Sequence, residues 1–161
     1  MTVLVAYASK HGATEEIARR IAKQLREKGT AAEARPVGEV KTLEDPDAVV
    51  LGSAVYVGSW MKEASAFAER HKEELSRIPV WLFSSGPTGT GPTDVGVSDK
   101  QLAALREIHP RDHRLFHGAM DPTKLGFLER KMVKAVKAPV GDFRDWGEVR
   151  SWADEIARSL S

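Results

Sequence analysis

Three stretches of this chain place glycine, hydroxyl and aromatic residues where they could do chemistry. In Ser9-Lys10-His11-Gly12-Ala13-Thr14 an apolar run gives way to a helical pattern. Gly12 allows close backbone approach, Ser9 and Thr14 offer hydroxyls, and the free N–H groups of a first helical turn would face whatever the loop holds. That construction suits a phosphate, with Ser9, Lys10, His11, Gly12, Ala13 and Thr14 as candidate contacts; the alternative is that Ser9 or Thr14 merely caps the helix. The spacing is not that of other phosphate binders. There is no G-x-x-x-x-G-K-[ST], which disfavours nucleoside triphosphate hydrolysis, and no G-x-G-x-x-G, which disfavours a dinucleotide fold. The second stretch, Ala54-Val55-Tyr56-Val57-Gly58-Ser59-Trp60, sets two aromatics and a glycine directly after an apolar run, a placement that suits a planar ligand. Tyr56 is assigned to that ligand, whereas Trp60 is equally readable as a core anchor. The third, Ser85-Gly86-Pro87-Thr88-Gly89-Thr90-Gly91-Pro92, could wrap a ring edge with backbone polar groups, and a solvent-exposed flexible loop would look the same.

The elements that must position these loops alternate along the chain. Thr2 to Ala8 reads as a strand, and from Ala13 the period turns helical, with Ile17, Ile21 and Leu25 on one stripe until Gly29. A weaker strand follows at Ala31 to Val37, then a strand at Ala48 to Ser53, a helix from about Trp60 to Leu75, a strand at Pro79 to Ser84 and a helix at Asp99 to Ile108. A strand at His113 to Ala119 and a closing helix with Val149, Trp152, Ile156 and Leu160 complete the set. Such alternation means a parallel sheet with helices on both faces. The unbroken apolar runs Ala48–Leu51 and Val80–Phe83 fit central strands, and Glu33 and Arg35 mark the second strand as an edge. The expected architecture is a single α/β domain over residues 1–161, doubly wound, with five parallel strands in the order 2-1-3-4-5. Gly38 to Asp47 is too short for a full crossover helix, and Asp121 to Arg144 is an extra segment with helical spacing at Leu125, Leu128, Met132 and Val136. In this topology ligands lie beyond the carboxyl ends of the strands, where the three loops fall.

Composition narrows the chemistry further. The chain has 161 residues, enough for one domain core, and its 24 Lys+Arg nearly balance 23 Asp+Glu, so it is no polyelectrolyte for coating nucleic acid. With no cysteine, disulfides, thiol nucleophiles and thiolate metal sites are excluded, and any redox chemistry must come from a bound organic cofactor. No apolar run approaches the roughly 20 residues of a membrane span and no leader precedes the first strand, so a cytoplasmic location is expected. His109, His113 and His117 recur every four residues, but Pro110 breaks the helix that this spacing would need, and no metal site is assigned. A receiver-domain reading fails because Gly52-Ser53 stands where an aspartate is required, and a hydrolase reading fails for want of a G-x-S-x-G elbow.

Ser9 to Thr14, Gly52 to Ala64 and Gly141-Asp142-Phe143-Arg144-Asp145-Trp146, in this order, resemble the flavodoxin-like family that includes the menaquinone-dependent protoporphyrinogen IX dehydrogenases. The likeness covers essentially the whole chain. It implies a flavodoxin fold binding FMN, with the phosphate on Ser9, Lys10, His11, Gly12, Ala13 and Thr14. The ring would then lie between Ala54, Val55, Tyr56, Val57, Gly58 and Trp60 on one side and Ser85, Gly86, Pro87, Thr88 and Gly89 on the other. The flavin would carry the redox chemistry, so no side chain is assigned as catalytic. A backbone carbonyl near Gly58 is the implied acceptor for the N5 proton of reduced flavin. Asp121 to Arg144 is shorter than the insertion of quinone-dependent members, and Gly86 to Gly96 lacks the aromatic that many flavodoxins stack on the ring. Only Asp94 is acidic within 54–60 and 85–97, so a less negative potential than in the acidic flavodoxins is expected. The function classes that follow are an FMN oxidoreductase acting on a substrate or quinone, an FMN electron carrier serving a redox partner, and a cofactor-free interaction domain.

Residues 122–139 carry Lys124, Arg130, Lys131, Lys134 and Lys137 against Glu129 alone, interleaved with apolar residues. A short basic amphipathic segment of this kind can rest peripherally on an anionic membrane or dock an acidic partner; the plainer reading is a solvated helix face. Flotation with anionic vesicles at low salt checks the membrane reading: co-flotation that salt abolishes is its expected outcome, and failure to float removes it.

Overall fold

The computed structural model describes residues 1–9, 12–56, 58–86, 97–117, 119–120, 141–142 and 145–161. Five parallel strands form the sheet: β1 (Thr2–Ala8), β2 (Ala31–Pro36), β3 (Ala48–Tyr56), β5 (Val80–Gly86) and β6 (Asp112–His117). They lie in the order β2-β1-β3-β5-β6, which is the expected 2-1-3-4-5 once parallel strands alone are numbered. β1 is central because it pairs on both sides, Val5 with Ala34 of β2 and with Val50 of β3. A strand so placed has both faces covered and must be apolar throughout, as Val3 to Ala8 are.

Alternate residues of each strand feed two cores. On one face Val3, Val5 and Tyr7 meet Ile17, Ile21 and Leu25 of α1 (Ala13–Glu27) and Trp152 and Ile156 of α5 (Trp146–Leu160). On the other, Leu4, Ala6, Val49 and Leu51 meet Phe67 of α2 (Lys62–Arg70), Leu75 of α3 (Lys72–Leu75) and Leu105 of α4 (Asp99–Arg106). The helix ends follow local chemistry. Gly29 stops α1 at φ +88°, with the Thr30 N–H donating to the Leu25 carbonyl at 2.9 Å, and the Asp145 side chain caps α5 by accepting the Glu148 N–H at 3.1 Å. The link after β2 holds only a 3₁₀ turn, Val37–Glu39.

Three boundaries depart from the sequence expectation. Ser59–Trp60 is a short strand, β4, antiparallel to Val55–Tyr56, so the following helix starts at Lys62. That helix breaks at His71, which separates α2 from α3. The last parallel strand ends at His117, and Ala119–Met120 (β7) pairs instead with Gly141–Asp142 (β8) in a separate antiparallel ribbon. That ribbon brackets the extra segment, whose basic residues Lys124, Arg130, Lys131, Lys134 and Lys137 lie outside the described residues.

One position on β3 couples sequence tightly to packing. Gly52 pairs with Phe83, and a Cβ built on Gly52 would fall 2.0 Å from the Phe83 ring, itself packed edge-on against Trp152. Gly52→Ala is expected to cost about 1–3 kcal/mol, the usual range for overpacking a filled core. Gly38→Ala meets nothing within 4 Å and is expected to be near neutral. Urea unfolding of both variants checks this; equal midpoints would contradict the packing argument.

Candidate functional site

At the carboxyl end of β1, the Gly12 N–H donates to Ser9 Oγ at 3.0 Å, closing a tight turn into α1. Gly12 stands at the helix start with φ +90°, a left-handed conformation that any side chain would strain. Because the residue in the capping position has no side chain, the first-turn N–H groups left over by the helical ladder receive no side-chain cap. Gly12 itself offers α1 no side-chain cap, and the Ser9 hydroxyl accepts the N–H of that capping residue. Ser9, Gly12 and Glu15 line a cleft of about 440 Å³ together with Tyr7, Met61 and Glu63.

Charge in the cleft is arranged around Glu15. The Tyr7 hydroxyl donates to Glu15 Oε1 at 2.8 Å, and Arg19 donates to the same oxygen at 3.2 Å. Those two bonds hold the Glu15 carboxyl below its usual pKa, while burial first and the neighbouring carboxylate second push the Tyr7 phenol up. Glu15 is therefore charged but turned to partners of its own at the helix start.

The roots of the other two loops meet at the ends of β3 and β5, where Ala54 lies opposite Ser85. Ser85 is buried, and a Cβ on Gly86 would come 3.1 Å from Val55 Cβ, so these strands approach closely. β3 and β4 pair antiparallel, Tyr56 opposite Ser59, and Gly58 before β4 has φ +73°. Trp60 anchors this hairpin from beneath. The indole is 2% exposed, its N–H donates to Ser84 Oγ at 2.8 Å, and Ser84 Oγ lies 2.9 Å from His113 Nε2. His113 meets the indole edge-on at 5.7 Å. Of the two readings of Trp60, the structure places the ring in the core. Ser53 Oγ accepts the Met61 N–H at 3.0 Å, fixing the exit from the hairpin.

Ser9, Gly12, Ala13 and Thr14 are thus assembled at the start of α1, and Ala54, Val55, Ser85 and Gly86 at the adjoining strand ends. Lys10, His11, Val57, Pro87, Thr88 and Gly89 lie outside the described residues, as does the side chain of Tyr56. Sequence reasoning missed Ser53, Ser84, Gln101 and His113. Nothing in the local sequence flags them, because Ser84 and His113, for example, meet only through the pairing of β5 with β6. Among the described residues no group of three acidic or histidine side chains could hold a metal ion, and no helix is long and apolar enough to cross a membrane.

A family model described as a flavodoxin domain matches residues 4–145. The chain belongs to the flavodoxin domain family. Across 98% of its length it is 26% identical, over 175 aligned positions, to protoporphyrinogen IX dehydrogenase [quinone] of Escherichia coli K12, covering 95% of that protein. Among solved structures it resembles oxidised flavodoxin 1 from Bacillus cereus, at a TM-score of 0.69 and 16% identity with both chains fully covered. It also resembles rubredoxin oxygen:oxidoreductase from Desulfovibrio gigas, at a TM-score of 0.64 and 18% identity; there it spans 36% of the other chain and 99% of its own. Both structural likenesses concern the fold, and they agree with a flavodoxin domain.

Within this flavodoxin domain His113 gives the site a pH signature. Burial lowers its pKa from 6.5 to about 4 against the weak opposing pull of Asp112, so it is neutral at pH 7. Its contribution to stability is complete above pH 6.5 and is lost as pH falls toward 4, because the unfolded chain takes up a proton that the folded chain refuses. The expected slope in that window is at most about 1.4 kcal/mol per pH unit. NMR titration of the ring and urea unfolding across pH 4 to 7 check this; a His113 titrating near 6.5 would refute it, and His113→Gln is expected to flatten the slope.

Proposed function

We propose that this flavodoxin domain is an FMN-dependent oxidoreductase, with a quinone as electron acceptor and a reduced tetrapyrrole of the protoporphyrinogen class as substrate. The observation that carries the FMN assignment is the start of α1, where Gly12 stands in a left-handed conformation, offers no side-chain cap and lines a cleft at the carboxyl end of β1. The N–H donors of a first helical turn match the terminal phosphate of FMN, and Gly12 has open space where a Cβ would stand. Ser9, Gly12, Ala13 and Thr14, with Lys10 and His11 of the same loop, would hold that phosphate. Ala54, Val55, Gly58, Ser85 and Gly86 would frame the ring, joined by Tyr56, Val57 and Pro87 to Gly89.

The flavin, when bound, supplies the acceptor and donor of hydride or electrons. The chain's own part is to bind and orient. The helix start at Gly12 fixes one end of the cofactor, and the hairpin from Val55 to Trp60 presents backbone N–H and C=O groups at the other. Ser85 and Gly86 add little bulk, so a flat substrate would meet small residues there. Support for the substrate class comes from the Escherichia coli relative, whose likeness runs through 98% of this chain. A specific observation favours a second reading, an FMN electron carrier without substrate chemistry. The alignment takes 175 positions for a chain of 161, so the relative carries residues that this chain lacks.

Titration of FMN fluorescence with the purified protein tests the first step, and saturable one-to-one binding is expected. Gly12→Ala forces a side chain into the left-handed region at about 1–2 kcal/mol, so its affinity is expected to fall about tenfold. A protein that neither retains nor takes up flavin overturns the proposal. Anaerobic oxidation of protoporphyrinogen IX with a menaquinone analogue then decides between enzyme and carrier.

A further inference from the structure

Gln101, in the first turn of α4, joins three segments of chain. Its own N–H donates to the Ser98 hydroxyl that caps α4, at 3.2 Å. Its side-chain Oε1 accepts the backbone N–H of Trp60 at 3.0 Å, while Nε2 donates to the Trp60 carbonyl at 3.3 Å and to Ser65 Oγ of α2 at 3.2 Å. The partners fix the orientation of the amide, since exchanging O and N would set donor against N–H and acceptor against C=O. A single side chain thus does for β4 what a neighbouring strand would do, engaging both backbone polar groups of one residue. It does so at the hairpin that follows β3, from the helix that follows the loop after β5. The hairpin strand β4, α2 and the start of α4 are therefore linked through one amide.

We propose that Gln101 is a positioning residue for the cofactor: without touching it, Gln101 locks the hairpin strand ending at Trp60 to the start of α4 and so fixes the position of the hairpin that would frame the ring. The inference rests on the FMN reading given above. The ties at Trp60 Nε1 and Met61 N hold the hairpin down onto the sheet, toward Ser84 and Ser53, and the Gln101 amide alone among these ties reaches across to α4. Ring-binding loops that must be ordered on binding lose affinity to that ordering, so a lock already closed raises it.

The test compares Gln101→Leu, Gln101→Glu and Ser65→Ala with the parent chain. Gln101→Leu removes both bonds to Trp60, so FMN affinity is expected to fall on the order of tenfold. Ser65→Ala removes only the outer tie and is expected to leave affinity within about twofold. In Gln101→Glu the carboxylate repels the Trp60 carbonyl near neutral pH, whereas its protonated form restores one donor and one acceptor. FMN affinity relative to the parent should therefore recover as the pH is lowered, a rescue that a merely structural role would not produce. Hydrogen exchange at the Trp60 amide, measured without flavin, is expected to accelerate in Gln101→Leu and reads the lock independently of the cofactor. If the parent binds no flavin, the FMN reading fails. If the parent binds and Gln101→Leu binds equally well, or if Gln101→Glu shows no pH-dependent recovery, the positioning role is overturned while the FMN reading stands. Should Gln101→Leu not fold, the pH response of Gln101→Glu decides.

Discussion

Burial of β1, β3 and β5 on both faces is the constraint from which the rest of this molecule follows. Alternate residues point into one of two separate cores, so both sheet faces are covered. Helices must cover both faces, parallel strands require crossovers to place them, and the only positions left for ligand contacts are the loops at the strand ends. The two covers differ in character. Phe83, Phe116 and Trp152 of α5 form an aromatic cluster with centroids 5.4–6.2 Å apart, Trp152 meeting both phenylalanines edge-on. The opposite face contains the polar chain from Trp60 through Ser84 to His113.

That polar chain explains how a mobile kind of element, a two-residue hairpin, can present a defined surface. A buried indole N–H without an acceptor would be costly, and Ser84 supplies one; Ser84 in turn has a neutral imidazole beside it. Burial keeps His113 uncharged, so the chain works as a set of neutral hydrogen bonds whose geometry specifies a position. Satisfying Trp60 in this way holds its ring in the core.

How much of this could be read from the sequence depends on how local each cause is. Val3 to Ala8 and Val80 to Phe83 are legible because two-sided burial leaves unbroken apolar runs, and α1 because Ile17, Ile21 and Leu25 recur at helical spacing. Asp145 is legible as a cap because its partner is three residues away. The start of α1 is legible from Gly12, which stands there in a left-handed conformation. Trp60 was not decidable, since its two candidate surroundings differ only in whether Ser84, 24 residues on, lies beneath it. Gln101 was invisible for the same reason: a surface-type residue in the first turn of a helix carries no sign that 41 residues earlier a hairpin needs its amide. His71, which ends α2, packs against Phe67 with its ring buried, and helical spacing alone gave no cue for the break.

Electrostatics at the start of α1 pull in two directions. Glu15 and Glu16 in its first turn favour the helix by complementing its dipole, yet they oppose any anion bound beside them. The structure meets this conflict by turning Glu15 toward Tyr7 and Arg19, which bond one and the same carboxylate oxygen. The tyrosine bond is shielded at the foot of the strand, whereas Arg19 is largely exposed and its pairing is screened by salt. Neutralisation of Glu15 is thus partial, and what remains for an anion is the short-range part: N–H groups and hydroxyls within bonding distance. Under the FMN proposal, an anion held here would be selected by fit to the turn at Gly12 rather than by net attraction, in keeping with an overall charge of only +1. Acid carried at the helix start stabilises the fold before any ligand arrives, and specificity for a phosphate ester over simple anions would come from the loops around the rest of the molecule.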